Sequence, residues 1–183
     1  MTVSLTGTPV LETERLTLRA PQPGDYPVWE AFYGSPRAQY IGGPGGVREA
    51  WRGFCHVAGM WVLRGYGSFI LCAKGTDIPL GMVGPWHPAD WPEREIGWTI
   101  WAPDAEGKGY AYEAALASRA YAYDVLGWDT AVSYIDGRNA RSIALAERMG
   151  ALRDPAASCP PHAAKNPDIE DLVYRHPAPE TLR

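Results

Sequence analysis

The stretch Trp101-Ala102-Pro103-Asp104-Ala105-Glu106-Gly107-Lys108-Gly109-Tyr110-Ala111 decides the fold. It lies where the apolar run Glu95 to Trp101, which reads as a strand, gives way to a helical period over Ala111 to Leu126. Along that helix Ala111, Ala115, Ser118, Ala122 and Leu126 share a side, and Gly127 marks its end. Two glycines between strand and helix let the backbone approach a ligand closely, and the first helical N–H groups point outward without partners. With the helix dipole they form an anion site suited to a phosphate or pyrophosphate, an ordinary tight turn being the alternative. The missing third glycine and the strands upstream speak against a dinucleotide-binding Rossmann unit, and the missing Gly-Lys-Ser/Thr ending against a triphosphatase loop.

Working outward, Leu11 to Arg19 reads as a first strand, with Leu16 and Leu18 alternating with Thr17 and Arg19. Gly24-Asp25 opens a short helix through Trp29 and Phe32, and Ile41 to Gly46 is a glycine-rich loop. Val47 to Leu63 has apolar residues at helical spacing (Val47, Trp51, Phe54, Ala58, Trp61, Val62) and stops at Gly65. Tyr66 to Ala73, Ile78 to Trp86 and Glu95 to Trp101 then form an antiparallel meander. Beyond the second long helix come a strand over Thr130 to Ile135, a helix over Ala140 to Met149 closed by Gly150, and a last strand over Ile169 to Arg175. Strands first, then strand, helix, strand, helix, strand, predict an α/β (α+β) fold: a mixed, mostly antiparallel sheet with helices on both faces. Without repeats or a long linker, residues 1–183 read as a single domain.

Composition narrows the function classes. The 183 residues are 46% hydrophobic and 21% charged, with a net charge of −4, which suits a folded domain and is a poor match to nucleic acid. Residues 1–90 balance seven Lys/Arg against seven Asp/Glu, while 91–183 carry ten against fourteen. The acidic second half suits a cationic or amine-bearing partner, or simply serves solubility. Cys55, Cys72 and Cys159 are odd in number and widely spaced, so they build neither a disulfide framework nor a thiolate metal site. His56, His162 and His176 lack metal-ligand spacing, and no metal is expected. No run approaches the ~20 apolar residues of a membrane span. Met1 to Val10 lacks the basic start and apolar middle of a signal peptide, so the expected setting is cytoplasmic, with no membrane partner.

Taken together, Glu95-Ile96-Gly97-Trp98, the Gly107-Lys108-Gly109-Tyr110-Ala111 loop followed by Glu113-Ala114, and Asn139-Ala140-Arg141-Ser142 followed by Met149-Gly150 resemble the GNAT acetyltransferases. Leu11 to Arg19 is similar to that family's opening strand, and the likeness is greatest to the RimJ/RimL branch, which acetylates ribosomal-protein N-termini. The resemblance implies a strand through Trp98 to Trp101 that splays from Ala131 to Ile135, opening a V-shaped slot for acyl-CoA. It implies acetyl-CoA as co-substrate and an amine acceptor, small or peptidic, with a homodimer as an open possibility.

The residues fit such a ligand on chemical grounds. A pyrophosphate needs backbone donors, a pantetheine arm can pair with a strand edge, and a thioester carbonyl needs an oxyanion donor. Glu106, Gly107, Lys108, Gly109, Tyr110 and Ala111 are therefore assigned to the pyrophosphate. Trp98, Thr99, Ile100 and Trp101 are assigned to the arm, with the Thr99 amide as candidate oxyanion donor. Two carboxylates depart from the family pattern: Asp104 and Glu106 are unfavourable beside a pyrophosphate, so both side chains are expected to face solvent, with Lys108 offsetting part of the charge. Ala146 stands where many members carry a tyrosine proton donor. Ser142 fills the site three residues after Asn139 as in the RimJ/RimL branch, and that resemblance implies a hydroxyl near the coenzyme sulfur. Asn139 and Ser142 share a helical face and are both assigned to the coenzyme arm, with Ser142 as donor to the leaving thiolate and an internal helix bond as the alternative.

Glu95 begins the strand lining the slot and, by the resemblance, stands where some relatives carry a carboxylate base. It is the candidate base, useful if burial lifts its pKa towards neutrality, a solvated edge charge being the other reading and Glu93 and His87 the alternative bases. Trp86, His87, Trp91 and Tyr134 are candidates for the acceptor wall, where the aromatic residues could equally be core. Cys159 sits in a Pro/Ala-rich connection and offers no acyl-cysteine route; residues 154–168 are a lid or a plain surface loop. The expected activity is N-acetyl transfer by direct attack in a ternary complex. The rival is a non-catalytic acyl-CoA-binding module that keeps the slot without acceptor chemistry.

Overall fold

The computed structural model describes residues 5–161 and 170–182. Its strands are β1 (Leu11–Glu12), β2 (Leu16–Arg19), β3 (Phe69–Ala73), β4 (Pro79–Trp86), β5 (Glu95–Ile100), β6 (Val132–Asp136), β7 (Leu152–Arg153) and β8 (Asp171–Arg175). The helices are α1 (Tyr26–Tyr33), α2 (Val47–Arg64), α3 (Tyr110–Asp124) and α4 (Ala140–Arg148). One sheet runs β1-β2-β3-β4-β5-β6-β8-β7, antiparallel throughout except where β5 meets β6. The mixed α/β architecture expected from the order of elements is the one found.

The alternation of side chains sorts the sheet's two faces. Leu16, Leu18, Phe69, Leu71 and Val83 pack with Ala114, Ala115 and Tyr121 of α3. Ile70, Cys72 and Trp101 point the other way, against Trp29 and Phe32 of α1 and Ala50 and Phe54 of α2. On α3 the small residues Ala114, Ala115, Ser118 and Ala122 are wholly buried, which brings the helix close to the strands. Gly81 does the same between strands: a Cβ there would lie 2.2 Å from the Thr99 carbonyl oxygen of β5.

Three departures from the sequence reading have physical causes. The run Leu11 to Arg19 is a hairpin, not one strand, because Thr13 to Arg15 turn back and Leu11 pairs with Leu18. Glu113 of α3 pins that turn, accepting from Thr13 Oγ1 at 2.6 Å, the Arg15 amide at 2.9 Å and Arg15 Nε at 2.6 Å. On α2 the buried face is Ala50, Phe54, Val57, Met60 and Trp61, whereas Val47, Trp51 and Val62, counted among the helically spaced apolar residues, are exposed. The short β7, absent from the sequence reading, adds an edge beside β8. No described helix is long and apolar enough to cross a membrane.

Candidate active site

The site begins where β5 and β6 part. Parallel pairing is confined to Glu95 opposite Val132, with the Val132 amide donating to the Arg94 carbonyl at 2.9 Å. Beyond that rung the strands diverge, giving the expected V. Antiparallel pairing fixes which groups line it, because main-chain groups alternate sides along a strand. The Trp101 amide donates to Leu80 of β4 at 2.7 Å, so Thr99, two residues back and opposite Met82, also presents its amide to β4. The Thr99 amide is thus turned away from the gap, and its side chain accepts the Trp101 indole N–H at 2.9 Å. The amides of Trp98 and Ile100 are the ones that face the cleft, and they replace Thr99 as oxyanion candidates.

At the cleft's wide end, Gly107 and Gly109 both adopt left-handed backbone, with φ of 73° and 79°. A side chain would be strained at either position, so the loop that lifts the chain from β5 onto α3 depends on glycine. Gly109 is the N-cap of α3 and supplies no capping side chain, which leaves the first-turn amides of Tyr110 and Ala111 open to a ligand. A cavity of about 550 Å³ opens beside this loop, bounded by Arg15, Lys108, Tyr112 and Arg148. A diphosphate thioester would find backbone donors at the loop and a free strand edge at Trp98 and Ile100, so these residues fit the ligand that the sequence suggests.

Asp104 is exposed as expected, but Glu106 does not face open solvent. Arg37, from the turn after α1, donates to it through Nε at 2.9 Å and again through Nη2, and Arg141 of α4 reaches it at 2.6 Å. Two guanidiniums hold its carboxyl below the usual carboxylate range. Arg37 also donates through Nη2 to the Ile100 carbonyl at 3.0 Å, tying the end of β5 to the same cluster. Sequence reasoning missed Arg37, which belongs to no motif. Arg141 could have been found, since it sits between Asn139 and Ser142 at a helix start.

On the α4 side the Trp98 indole donates to Ser142 Oγ at 3.2 Å. Asn139 is the N-cap of α4, its side-chain oxygen accepting the Ser142 amide at 3.2 Å, so that oxygen is spent on the helix. Ala146 is fully buried with Ile135, Ala151 and Tyr174.

Glu95 lies at the apex on the opposite face, half-buried, accepting the Trp91 indole N–H at 2.6 Å. Burial pushes its pKa up to about 7, against the opposing pull of the Trp91 side chain and the Tyr134 backbone N–H. Trp91 and Tyr134 meet edge to face at 6.4 Å, and burial drives the Tyr134 hydroxyl up to about 12. Glu93, an alternative base, is clasped by Arg175 at 2.8 and 2.9 Å and is committed to that pair. Trp86 pairs across the strands with Glu95 and meets the His56 ring at a tilt, centroids 4.7 Å apart. Half-buried His87 is held below its ordinary pKa by burial and by Arg64 and Arg94. The structure thus gathers Glu95, Trp86, Trp91 and Tyr134 on one side of the apex and Trp98 with Ser142 on the other.

The Cys159 thiol is raised by burial and donates to the Asp171 carbonyl at 3.3 Å, as suits a structural cysteine. Residues 162–168 of the lid candidate, His162 among them, lie outside the described residues, whereas 154–161 are described. Among the described residues no three His, Cys, Asp or Glu side chains gather as a metal site.

Residues 15–152 match the acetyltransferase (GNAT) domain family. An acetyltransferase from Agrobacterium tumefaciens str. C58 is 38% identical, with 97% of each chain covered and a TM-score of 0.84. A GNAT-family acetyltransferase from Bacillus anthracis is 25% identical over 91% of this chain and 96% of its own, at a TM-score of 0.69. RimL, a ribosomal alpha-N-protein acetyltransferase, shares the fold at 15% identity, over 92% of this chain and 94% of its own, with a TM-score of 0.71. With the family match spanning most of the chain and the 38% identical relative covering nearly all of it, the chain belongs to the GNAT acetyltransferases, whose domains transfer an acetyl group and use acetyl-CoA.

Proposed function

We propose that this protein is an N-acetyltransferase that brings acetyl-CoA and a primary amine together in one ternary complex, the amine attacking the thioester directly. The observation that carries this reading is the division of the apex: a carboxylate poised near neutrality on one face of β5, and a hydroxyl held by Trp98 on the other. An amine arrives protonated and needs a base that is partly ionised at neutral pH, which Glu95 supplies directly or through a water. The Trp98 and Ile100 amides serve the arm and the developing oxyanion, and holding both reactants in line supplies much of the rate. Ser142 accepts from Trp98, so its own proton is free to go to the departing sulfur. Gly107 to Ala111 hold the diphosphate, with Lys108 and Arg141 as nearby cations.

The acceptor class follows less directly. Trp86, Trp91 and Tyr134 form an aromatic wall beside Glu95, suited to an ammonium or an apolar first residue. Ser142 three residues after Asn139 supports kinship to the RimJ/RimL branch and makes a peptide N-terminus the first acceptor to try. The test is mass spectrometry of products after incubation with labelled acetyl-CoA and a mixed library of peptides and small amines. A labelled amine or amide bears the proposal out. Saturable coenzyme A binding without transfer to any acceptor across the library sinks it in favour of a binding module.

A further inference from the structure

Where β5 and β6 part, a buried polar chain occupies the carbonyl that the next rung would use. Continued parallel pairing would set Ile96 opposite Ser133, with the Tyr134 amide donating to the Ile96 carbonyl; the ladder stops one step short of that. The Ile96 carbonyl instead accepts the Ser133 hydroxyl at 2.6 Å. Ser133 Oγ lies 3.0 Å from His176 Nε2, and His176 Nδ1 lies 3.4 Å from Arg119 Nη1. Arg119 also donates to the Met149 carbonyl at 2.7 Å. All three side chains are buried, with relative exposures of 2% for Ser133, 3% for His176 and 6% for Arg119.

Only one arrangement of protons satisfies this chain. A carbonyl can only accept, so the single Ser133 proton goes to Ile96, and Ser133 must then accept from His176. His176 therefore carries its proton on Nε2 and turns a lone pair on Nδ1 towards Arg119, which can only donate. Burial and the Arg119 charge keep the imidazole neutral, with its pKa down at about 3. The donors run one way, from α3 through the end of β8 to β5.

We propose that Arg119, His176 and Ser133 are positioning residues that hold the cleft open at its apex, by occupying the Ile96 carbonyl and so keeping the Tyr134 amide available to the Glu95 carboxylate. The Tyr134 N–H favours the ionised form of Glu95. Among the described residues Asp171 of β8 opposes ionisation of that carboxylate, and Glu93, two residues before it, is paired with Arg175. Ser133 thus takes the acceptor of one rung of the sheet, and the Tyr134 N–H that would have met it is left to favour the ionised Glu95 carboxylate.

Ser133→Ala tests this on the folded protein. In Ser133→Ala a through-hydrogen-bond coupling should appear between the Tyr134 amide nitrogen and the Ile96 carbonyl carbon, absent in the unaltered protein. Coenzyme A affinity by calorimetry should fall several-fold as the cleft narrows. The acid limb of kcat/KM should move up by roughly one pH unit, because a donor to the carboxylate is lost. Ser133→Thr keeps the hydroxyl and should restore all three.

If Ser133→Ala fails to fold, nitrogen-15 shifts of His176 in the unaltered protein decide the matter. A proton on Nε2 and none on Nδ1 from pH 5 to 9 bears the chain out, and the other tautomer or a titration near 6.5 overturns it. The pH limb rests on the proposed reaction, but the coupling and the tautomer do not. A protein that binds no coenzyme A yet shows both would refute the reaction and leave this device standing. Normal coenzyme A binding with no new coupling in Ser133→Ala would do the reverse.

Discussion

Ser142 uses its hydroxyl oxygen as an acceptor from the Trp98 indole, which leaves the hydroxyl proton for whatever enters the cleft. Replacing it with alanine should lower kcat on the order of a hundredfold with coenzyme A affinity unchanged, as expected for loss of a general acid. Steady-state kinetics beside calorimetry checks this, and an unaltered kcat would remove Ser142 from the chemistry. For Glu95 the sign follows from its raised pKa: as the proposed base the carboxylate acts when ionised, so the rate should climb with pH through about 7. Glu95→Gln should abolish that rising limb. A limb that persists would make another group the base, with half-buried His87 first in line.

At the scale of elements, Glu106 joins three segments that are distant in sequence: the turn after α1 through Arg37, the loop before α3, and α4 through Arg141. It shares the loop with the glycines assigned to the diphosphate, so in the proposed complex the carboxylate would repel that ligand and offset the charge of Arg141 beside it. Glu106→Gln should tighten coenzyme A binding by about fivefold, corresponding to about 1 kcal/mol for a partly exposed ion pair. The gain should shrink as salt is raised. Weaker binding in calorimetry would mean that Glu106 instead positions Arg141 for the ligand. The hairpin of β1 and β2 is likewise set by another element, since a single α3 carboxylate collects its turn.

Across the whole molecule, two titrating groups at the cleft act on stability in opposite senses. His176 is depressed to about 3 from an ordinary 6.5, so its contribution is present above 6.5 and is lost as the pH falls towards 3. Glu95 is raised to about 7 from 4.5, so its contribution is present below 4.5 and is lost as the pH rises through 7. Between 4.5 and 6.5 the two slopes oppose each other, and the urea midpoint should be nearly flat there for these groups. Glu95→Gln should remove the decline near pH 7 and raise the midpoint at pH 8 above that of the unaltered protein. Equal midpoints at pH 8 would show that Glu95 pays no burial cost in the folded state.

What the sequence by itself determined was local: which runs are strands or helices, where glycine must take left-handed backbone, and which loop leads from β5 into an uncapped helix. Those features depend on neighbours within a few residues, through alternation, helical period and steric freedom, so Gly107 and Gly109 could be named from their surroundings, whereas Ser142 was named through the family resemblance. Their helices also showed which residues begin and end the elements, within a turn or so. The tertiary structure decided everything that depends on partners far along the chain. Thr99 lost its assigned role because the register with β4 turns its amide aside, and register is set by pairing across the sheet. Glu106 found Arg37 and Arg141, and Ser133 found His176 and Arg119, at separations over which no period operates. A buried charge or hydroxyl must be satisfied by whatever the folded topology brings within about 3 Å, and that is a property of the assembled sheet and helices rather than of any segment.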